Sequence, residues 1–136
     1  MPETRAVETV PSDFYDLLAA KTLLSVATLG PDGEPQNNPV WFIWDGAALQ
    51  FAVQPQVQKL KNLRRDDRIA ASIFDPANPG RYLEFRGTVT IAPDTDDLFG
   101  DALARKYLGA DHLPWSTPGN GRQVLTIHPT RIIARG

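Results

Sequence analysis

The stretch Pro35-Gln36-Asn37-Asn38-Pro39-Val40-Trp41-Phe42-Ile43-Trp44-Asp45-Gly46-Ala47-Ala48-Leu49-Gln50-Phe51-Ala52-Val53 reads as two strands folded back on one another. Aromatic and β-branched residues fill 40–44 and 49–53, as a pleated, half-buried surface requires. Asp45-Gly46 between them is a hairpin dipeptide, because glycine tolerates the positive φ of a tight turn. Upstream, Leu23–Leu29 reads as a strand closed by the turn Gly30-Pro31-Asp32-Gly33. Downstream, Ile69–Phe74, Arg81–Ile91, and Gln123–Ile127 continued by Thr130–Ala134 are further strands. Hairpins rather than βαβ units join most of these six, so the sheet is expected to close on itself as an antiparallel barrel and hide its edges. Gly87, inside the long fifth strand, marks a bulge or a close backbone approach.

Three helices flank the strands. Ser12 is expected to cap a first helix that ends near Lys21, with Asp13 and Asp16 in its first turn. Val57–Arg65 is a short basic helix. Asp94–Leu108 has an acidic start and a basic end, matching the helix dipole. Residues 1–11 read as a flexible N-terminal arm and 12–136 as one domain.

Composition bounds the chemistry. The 136 residues suffice for one core, and the 22% charged and 42% hydrophobic content is that of a folded globular chain. With no cysteine, disulfides, thiolate metal sites and a cysteine nucleophile are excluded. The two histidines, His112 and His128, lie far from ligand spacing, so no metal site is expected. A net charge of −2 argues against nucleic acid, and no apolar run approaches the ~20 residues of a membrane helix. Lacking both cysteine and an apolar leader, the chain is expected in the cytoplasm.

One segment carries a chemical signal. Pro55-Gln56-Val57-Gln58-Lys59 leaves a strand and enters the basic helix, bringing free backbone N–H groups and an ammonium together, as an anion site needs. A merely solvated basic helix face is the alternative. Asn37 and Asn38 are unusual in a strand and are read either as a ligand-facing edge or as an irregular start. Trp41 and Trp44 suit core or interface packing, with a stacking role for one of them as the alternative; Trp115 suits packing or capping of a ligand. Glu84 and Arg86 are expected to pair along one strand face; Arg122 and Arg131 are read as reaching an anionic ligand or, as strand-end arginines usually do, facing water. No Ser-His-Asp arrangement is evident.

The order of Gly30-Pro31-Asp32-Gly33-Glu34-Pro35, Val40–Trp44, Gln58-Lys59-Leu60-Lys61-Asn62-Leu63-Arg64-Arg65-Asp66 and Tyr82-Leu83-Glu84-Phe85-Arg86-Gly87-Thr88 resembles the pyridoxamine 5'-phosphate oxidase-like split-barrel superfamily. Within it, the Lys59–Asp66 run is similar to the flavin/deazaflavin oxidoreductase B branch, whose members often use coenzyme F420. The resemblance spans roughly residues 12 to 135. It implies a six-stranded antiparallel split β-barrel, mainly β with flanking helices. It also implies a homodimer with the cofactor groove between subunits, F420 or alternatively FMN as cofactor, and a small conjugated or heterocyclic substrate. The residues it assigns to the cofactor are Asn37, Asn38, Pro39, Val40, Trp41, Ala52, Val53, Gln54, Gln58, Lys59 and Asn62, with Lys59 on the phosphate. Gln58 stands where the family's oxidases often carry arginine, and Val57 where some F420 binders carry a further basic residue. No side chain is singled out as the proton donor. An FMN-dependent oxidase-like enzyme, a non-catalytic flavin or F420 carrier, and a single-strand-binding barrel are the competing readings.

Overall fold

The computed structural model describes residues 3–136. The strands are β1 (Thr4–Val7), β2 (Leu24–Leu29), β3 (Pro35–Val40), β4 (Ile43–Trp44), β5 (Leu49–Val53), β6 (Arg68–Asp75), β7 (Asn78–Pro93) and β8 (Gln123–Arg135). The helices are α1 (Tyr15–Ala19), α2 (Gln58–Arg65) and α3 (Leu98–Leu108), the first and last each preceded by a 3-10 turn. All strand pairs are antiparallel, in the order β3-β2-β6-β7-β8-β5-β4, with β1 added beside β8.

That order forces the sheet to curl. β3 and β4 end the path on opposite sides, yet only Trp41 and Phe42 separate them in the chain. Three Cα steps from Val40 to Ile43 span at most about 11 Å, so the two edges must meet. The result is the half-closed antiparallel barrel that the hairpin pattern predicts. Leu24, Val26, Phe51, Ile73, Leu83, Phe85, Leu125 and Ile127 alternate inward along their strands and fill it, with Phe14, Leu17 and Leu18 packed against one end and Leu60 and Leu63 against the side.

Eight strands rather than six arise in two places. Phe42 interrupts the expected second strand, and Thr4–Val7, within the segment expected to be a flexible arm, forms β1. Its register with Ile132–Arg135 lets it satisfy backbone groups on that side of β8. Residues 1 and 2 of the arm lie outside the described residues. The first helix is shorter than expected: Ser12 opens a 3-10 turn, makes no side-chain cap, and α1 stops at Ala19. Arg81 fastens this end, donating to Asp16 at 2.7 and 2.9 Å, to Asp75 at 3.2 Å and to the Asp13 carbonyl at 2.6 Å.

The interruption at Phe42 leaves a backbone N–H and C=O without ladder partners in a residue that is fully buried. α3 supplies both partners. The Tyr107 hydroxyl accepts from the Phe42 N–H at 3.1 Å and donates to the Thr22 carbonyl at 2.6 Å. The Lys106 ammonium donates to the Phe42 carbonyl at 2.9 Å and sits 3.7 Å from the centre of the Phe42 ring. Burial depresses the Lys106 pKa to about 8.

Gly87 is both things the sequence suggests. The β7–β8 register shifts between Arg86 and Gly87, where Thr130 is the extra residue of β8 and inward alternation passes from Leu125 and Ile127 to Ile132 and Ala134. A Cβ on Gly87 would lie 2.1 Å from the His128 carbonyl oxygen and 2.8 Å from Pro129 Cα, both backbone atoms that cannot step aside.

Two outcomes follow from this geometry. Gly87→Val destabilises the chain by about 2–3 kcal/mol in urea unfolding, because overpacking against backbone has no soft neighbour to absorb it; an unchanged midpoint contradicts the close approach. Tyr107→Phe leaves the Phe42 N–H buried without an acceptor and costs about 1–3 kcal/mol, with faster amide exchange at Phe42. Wild-type exchange there contradicts the assigned role of Tyr107.

Candidate functional site

α2 begins directly after the turn that leaves β5. The Val57 N–H reaches back to the Gln54 carbonyl at 3.4 Å, and Val57 itself is extended, with no side chain capping the helix. Among the described residues no side chain caps this start, so the first N–H groups of α2 lack both an intrahelical acceptor and a cap. Helix starts ordinarily carry carboxylates, which suit the positive end of the dipole. Here the first turn holds no acidic residue and instead places Lys59 there.

Lys59 is only 6% exposed, and among the described residues no carboxylate forms an ion pair with it. Burial alone depresses its pKa below the ordinary lysine value. No buried side-chain nitrogen or oxygen among the described residues lacks a partner, so the stem is covered while the ammonium reaches the surface. A lysine in an uncapped first turn that holds no acidic residue leaves the positive end of the helix dipole without a carboxylate to balance it. An anion such as phosphate is what this arrangement can hold.

An amide relay holds α2 in place. Asn62, 1% exposed, donates to Thr28 Oγ1 and to Gln36 Oε1, each at 3.0 Å, and accepts from Gln58 Nε2 at 2.9 Å. Both its donors and its carbonyl are thus engaged, and its side chain ties the helix to β2 and β3. Gln58 is oriented by this relay at the first turn. Gln36 and Thr28 were not recognisable in the sequence, where each is an ordinary strand polar residue; only the β2–β3 pairing Thr28 with Gln36 brings them under Asn62.

The other expected residues fall on different surfaces. β3 pairs Asn37 with Ala27 and Pro39 with Ser25, on the outer face of the sheet, whereas Asn38 pairs with Val26 and Val40 with Leu24, on the opposite face. Ser25 Oγ donates to Asn37 Oδ1 at 2.9 Å. Asn37 borders a 490 Å³ concavity with Ser72, Phe74, Tyr82 and Glu84. Val53 is buried and Ala52 half-buried in β5, while Gln54 lies in the turn before α2. Trp41 is stacked face to face on Tyr107, 4.5 Å between ring centres at 4°, and meets Trp115 at 5.9 Å and 59°. Gln54, Gln58, Lys59 and Asn62 therefore cluster around the start of α2, while Trp41 joins an aromatic group with α3.

Further along α2, Arg64, Arg65 and Arg68 border a notch beside the β2–β3 turn. Arg65 donates to the Leu29 carbonyl and Arg68 is paired with Asp66 at 2.7 Å, which lowers the Asp66 pKa to about 2. Glu84 and Arg86 form the expected ion pair. Arg122 does not face water: it is 5% exposed and bound to Asp94 at 3.1 Å. Asp94 in turn accepts the N–H groups of Phe99 and Gly100 at 2.8 and 2.9 Å, so a buried cation satisfies the carboxylate that starts α3.

No helix among the described residues is long and apolar enough to cross a membrane, and no cluster of three metal-ligating side chains occurs among them.

Comparison with known proteins places this architecture. No curated protein sequence matches the chain significantly. Among solved structures, an F420 reductase is 36% identical, over 90% of this chain and 98% of that one, with a TM-score of 0.79. A conserved hypothetical protein from Mycobacterium tuberculosis is 24% identical over 91% of this chain and 82% of its own, with a TM-score of 0.74. General Stress Protein 26 from Bacillus anthracis, 16% identical over 88% of each chain with a TM-score of 0.65, shares the fold. The family model described as pyridoxamine 5'-phosphate oxidase matches residues 11–136, so the curled barrel with its lysine-bearing helix start belongs to that family of split barrels.

Proposed function

We propose that the chain is an F420-dependent oxidoreductase acting on a small conjugated or heterocyclic substrate. The observation that carries this reading is Lys59, a covered lysine without an ion-pair partner in the first turn of an uncapped helix, a position that would suit a phosphate. Family membership supports an oxidoreductase of flavin type, and the similarity to an F420 reductase favours the deazaflavin over FMN. When bound, such a cofactor supplies hydride transfer.

The chain's own residues bind and orient. Lys59 and the first-turn N–H groups of α2 would hold the phosphate, with Gln54 and Gln58 at its margin. Asn62 acts by holding Gln58 and the helix against β2 and β3. Trp41, locked by Tyr107, would form one wall beside the ring; Asn38 and Val40, which share with Gln36 the side of β3 that meets Asn62 of α2, would adjoin it, while Asn37 and Pro39 lie on the opposite face. Lys61 and Arg64 stay available for an acidic tail; Arg68 is engaged by Asp66. We read the working unit as a cytoplasmic homodimer with the groove between subunits. The concavities of 430 and 490 Å³ on the outer sheet face, with Phe74 54% exposed at one of them, support a second copy there.

Titration with oxidised F420 and, separately, FMN tests the reading. Saturable micromolar binding of F420 with weaker FMN binding is expected; the reverse preference selects an FMN-dependent enzyme on the same barrel, and binding of neither removes the functional assignment. Bound cofactor that no electron acceptor reoxidises selects a carrier.

In Lys59→Ala, affinity for the preferred cofactor falls by at least about tenfold, the scale of a lost charge-assisted hydrogen bond, with the melting temperature retained or raised. Affinity also depends on pH with a definite sign. Lys59 must carry its proton to attract the anion, and its free-state pKa lies below the ordinary lysine value. Binding therefore weakens as pH rises through that depressed pKa, and the alkaline loss disappears in Lys59→Ala. Equal pH profiles for both proteins contradict the assignment.

A further inference from the structure

A cavity of 260 Å³ lies between the segment that leaves β1, the β4–β5 hairpin and β8, and it shares no residue with the start of α2 or with the aromatic group on α3. Leu49, Phe85 and Ile127, each at most 2% exposed, form its floor. Tyr15 and Trp44 are aromatic walls, and Trp44 pairs with Leu49, so the two share a face of the sheet. The walls are fixed. Asp45 Oδ1 accepts from the Ala47 and Ala48 N–H groups at 2.8 and 2.7 Å, which sets the hairpin. Pro129 is held opposite Gly87 at the register shift of β7 and β8. The segment leaving β1 is tied at Val7, which pairs with Ile132, and at Val10, which is buried.

Protein interiors are close-packed and seldom keep voids beyond the size of a water. A void between stiff walls forfeits dispersion contacts that a fitting occupant restores. Water is poorly held at this floor, because Leu49, Phe85 and Ile127 carry no polar side-chain atom. A dry cavity of about 150 Å³ already takes a benzene ring, so 260 Å³ accommodates one ring with a short side chain. Charge decides what that side chain is. Among the described residues that line the cavity, Glu8 is the one charged group, and no lysine, arginine or histidine joins it. An anion is disfavoured here, in contrast to the start of α2. An ammonium gains the exposed Glu8 carboxylate together with the aromatic walls.

We infer that this cavity is a second ligand site, separate from the anion site proposed at α2, and that its ligand class is a small arylalkylamine, with the ring on the apolar floor and the protonated amine at Glu8. The floor selects for shape and Glu8 for charge. This inference stands apart from the cofactor reading, because the two places share no residue and favour opposite charges.

Calorimetric titration with phenethylamine at neutral pH tests this, with 3-phenylpropionate and ethylamine as controls that reverse the charge and remove the ring. Wild-type protein is expected to bind phenethylamine saturably and both controls far more weakly, and the methyl resonances of Leu49, Ile127 and Ile132 to shift with occupancy. Glu8→Gln is expected to weaken phenethylamine about threefold, the scale of an exposed ion pair. Glu8→Lys is expected to weaken it further and to strengthen 3-phenylpropionate. Glu8 is exposed, so both variants keep the wild-type melting temperature, oligomeric state and affinity for F420 or FMN. The proposal is overturned if wild type shows no saturable phenethylamine binding, if those methyl resonances stay in place, or if Glu8→Lys binds the amine as well as wild type does. It is also overturned if F420 or FMN displaces phenethylamine, which makes the cavity part of the cofactor site, or if Glu8→Lys changes oligomeric state, which makes it a subunit contact. Failure of wild type to bind either cofactor sinks the preceding reading while the phenethylamine titration still decides this one.

Discussion

The backbone of Phe42 is the constraint on which this molecule turns. A two-residue link joins the strands at opposite ends of the sheet path, so the sheet has to curl until its edges meet, and one residue at the seam loses its ladder partners inside the core. Buried N–H and C=O groups must be paired, and α3 meets that demand with Tyr107 and Lys106. The same contacts fix the neighbouring Trp41, because the ring that offers its hydroxyl to Phe42 also stacks on that indole. Barrel closure, the docking of α3 and the orientation of one wall of the proposed groove are thus a single arrangement.

The other wall follows an opposite logic, in which something is left unsatisfied. α2 is fastened by Asn62 to Thr28 and Gln36, every amide atom of that side chain engaged, yet its own first turn has neither cap nor carboxylate and holds a covered lysine. Folding alone would favour an acid at that position. In the proposed reading, rigid satisfaction at Asn62 and the uncapped first turn with Lys59, one helical turn apart, would give the chain a preorganised place for an anion, which would lower the ordering cost of binding it.

How far the sequence carries these conclusions depends on the range of the interaction. The hairpins, Gly87 and the basic helix are local signals: Asp45-Gly46 sets a turn, and alternation breaks where β8 gains Thr130. The position of Lys59 is legible too, since a strand leading into Val57-Gln58-Lys59 already places it in the first turn of a helix. What stays hidden is whatever depends on pairing distant segments. Gln36 and Thr28 matter only because β2 and β3 align them beneath Asn62. Arg122 looks like a strand-end arginine until α3 sets Asp94 beside it. Thr4–Val7 is too short and polar to announce a strand and is ordered by the side of β8 it covers. Asn37 and Asn38, adjacent in the chain, face opposite sides of the sheet, so a run read as one edge divides between two surfaces.

The central claim is that the start of α2 is a phosphate site. Crystallography of the chain with its preferred cofactor tests it most directly. The account predicts phosphate density within hydrogen-bonding distance of Lys59 Nζ and the first-turn N–H groups of α2. Phosphate density against Arg64, Arg65 and Arg68, with Lys59 unengaged, would contradict it.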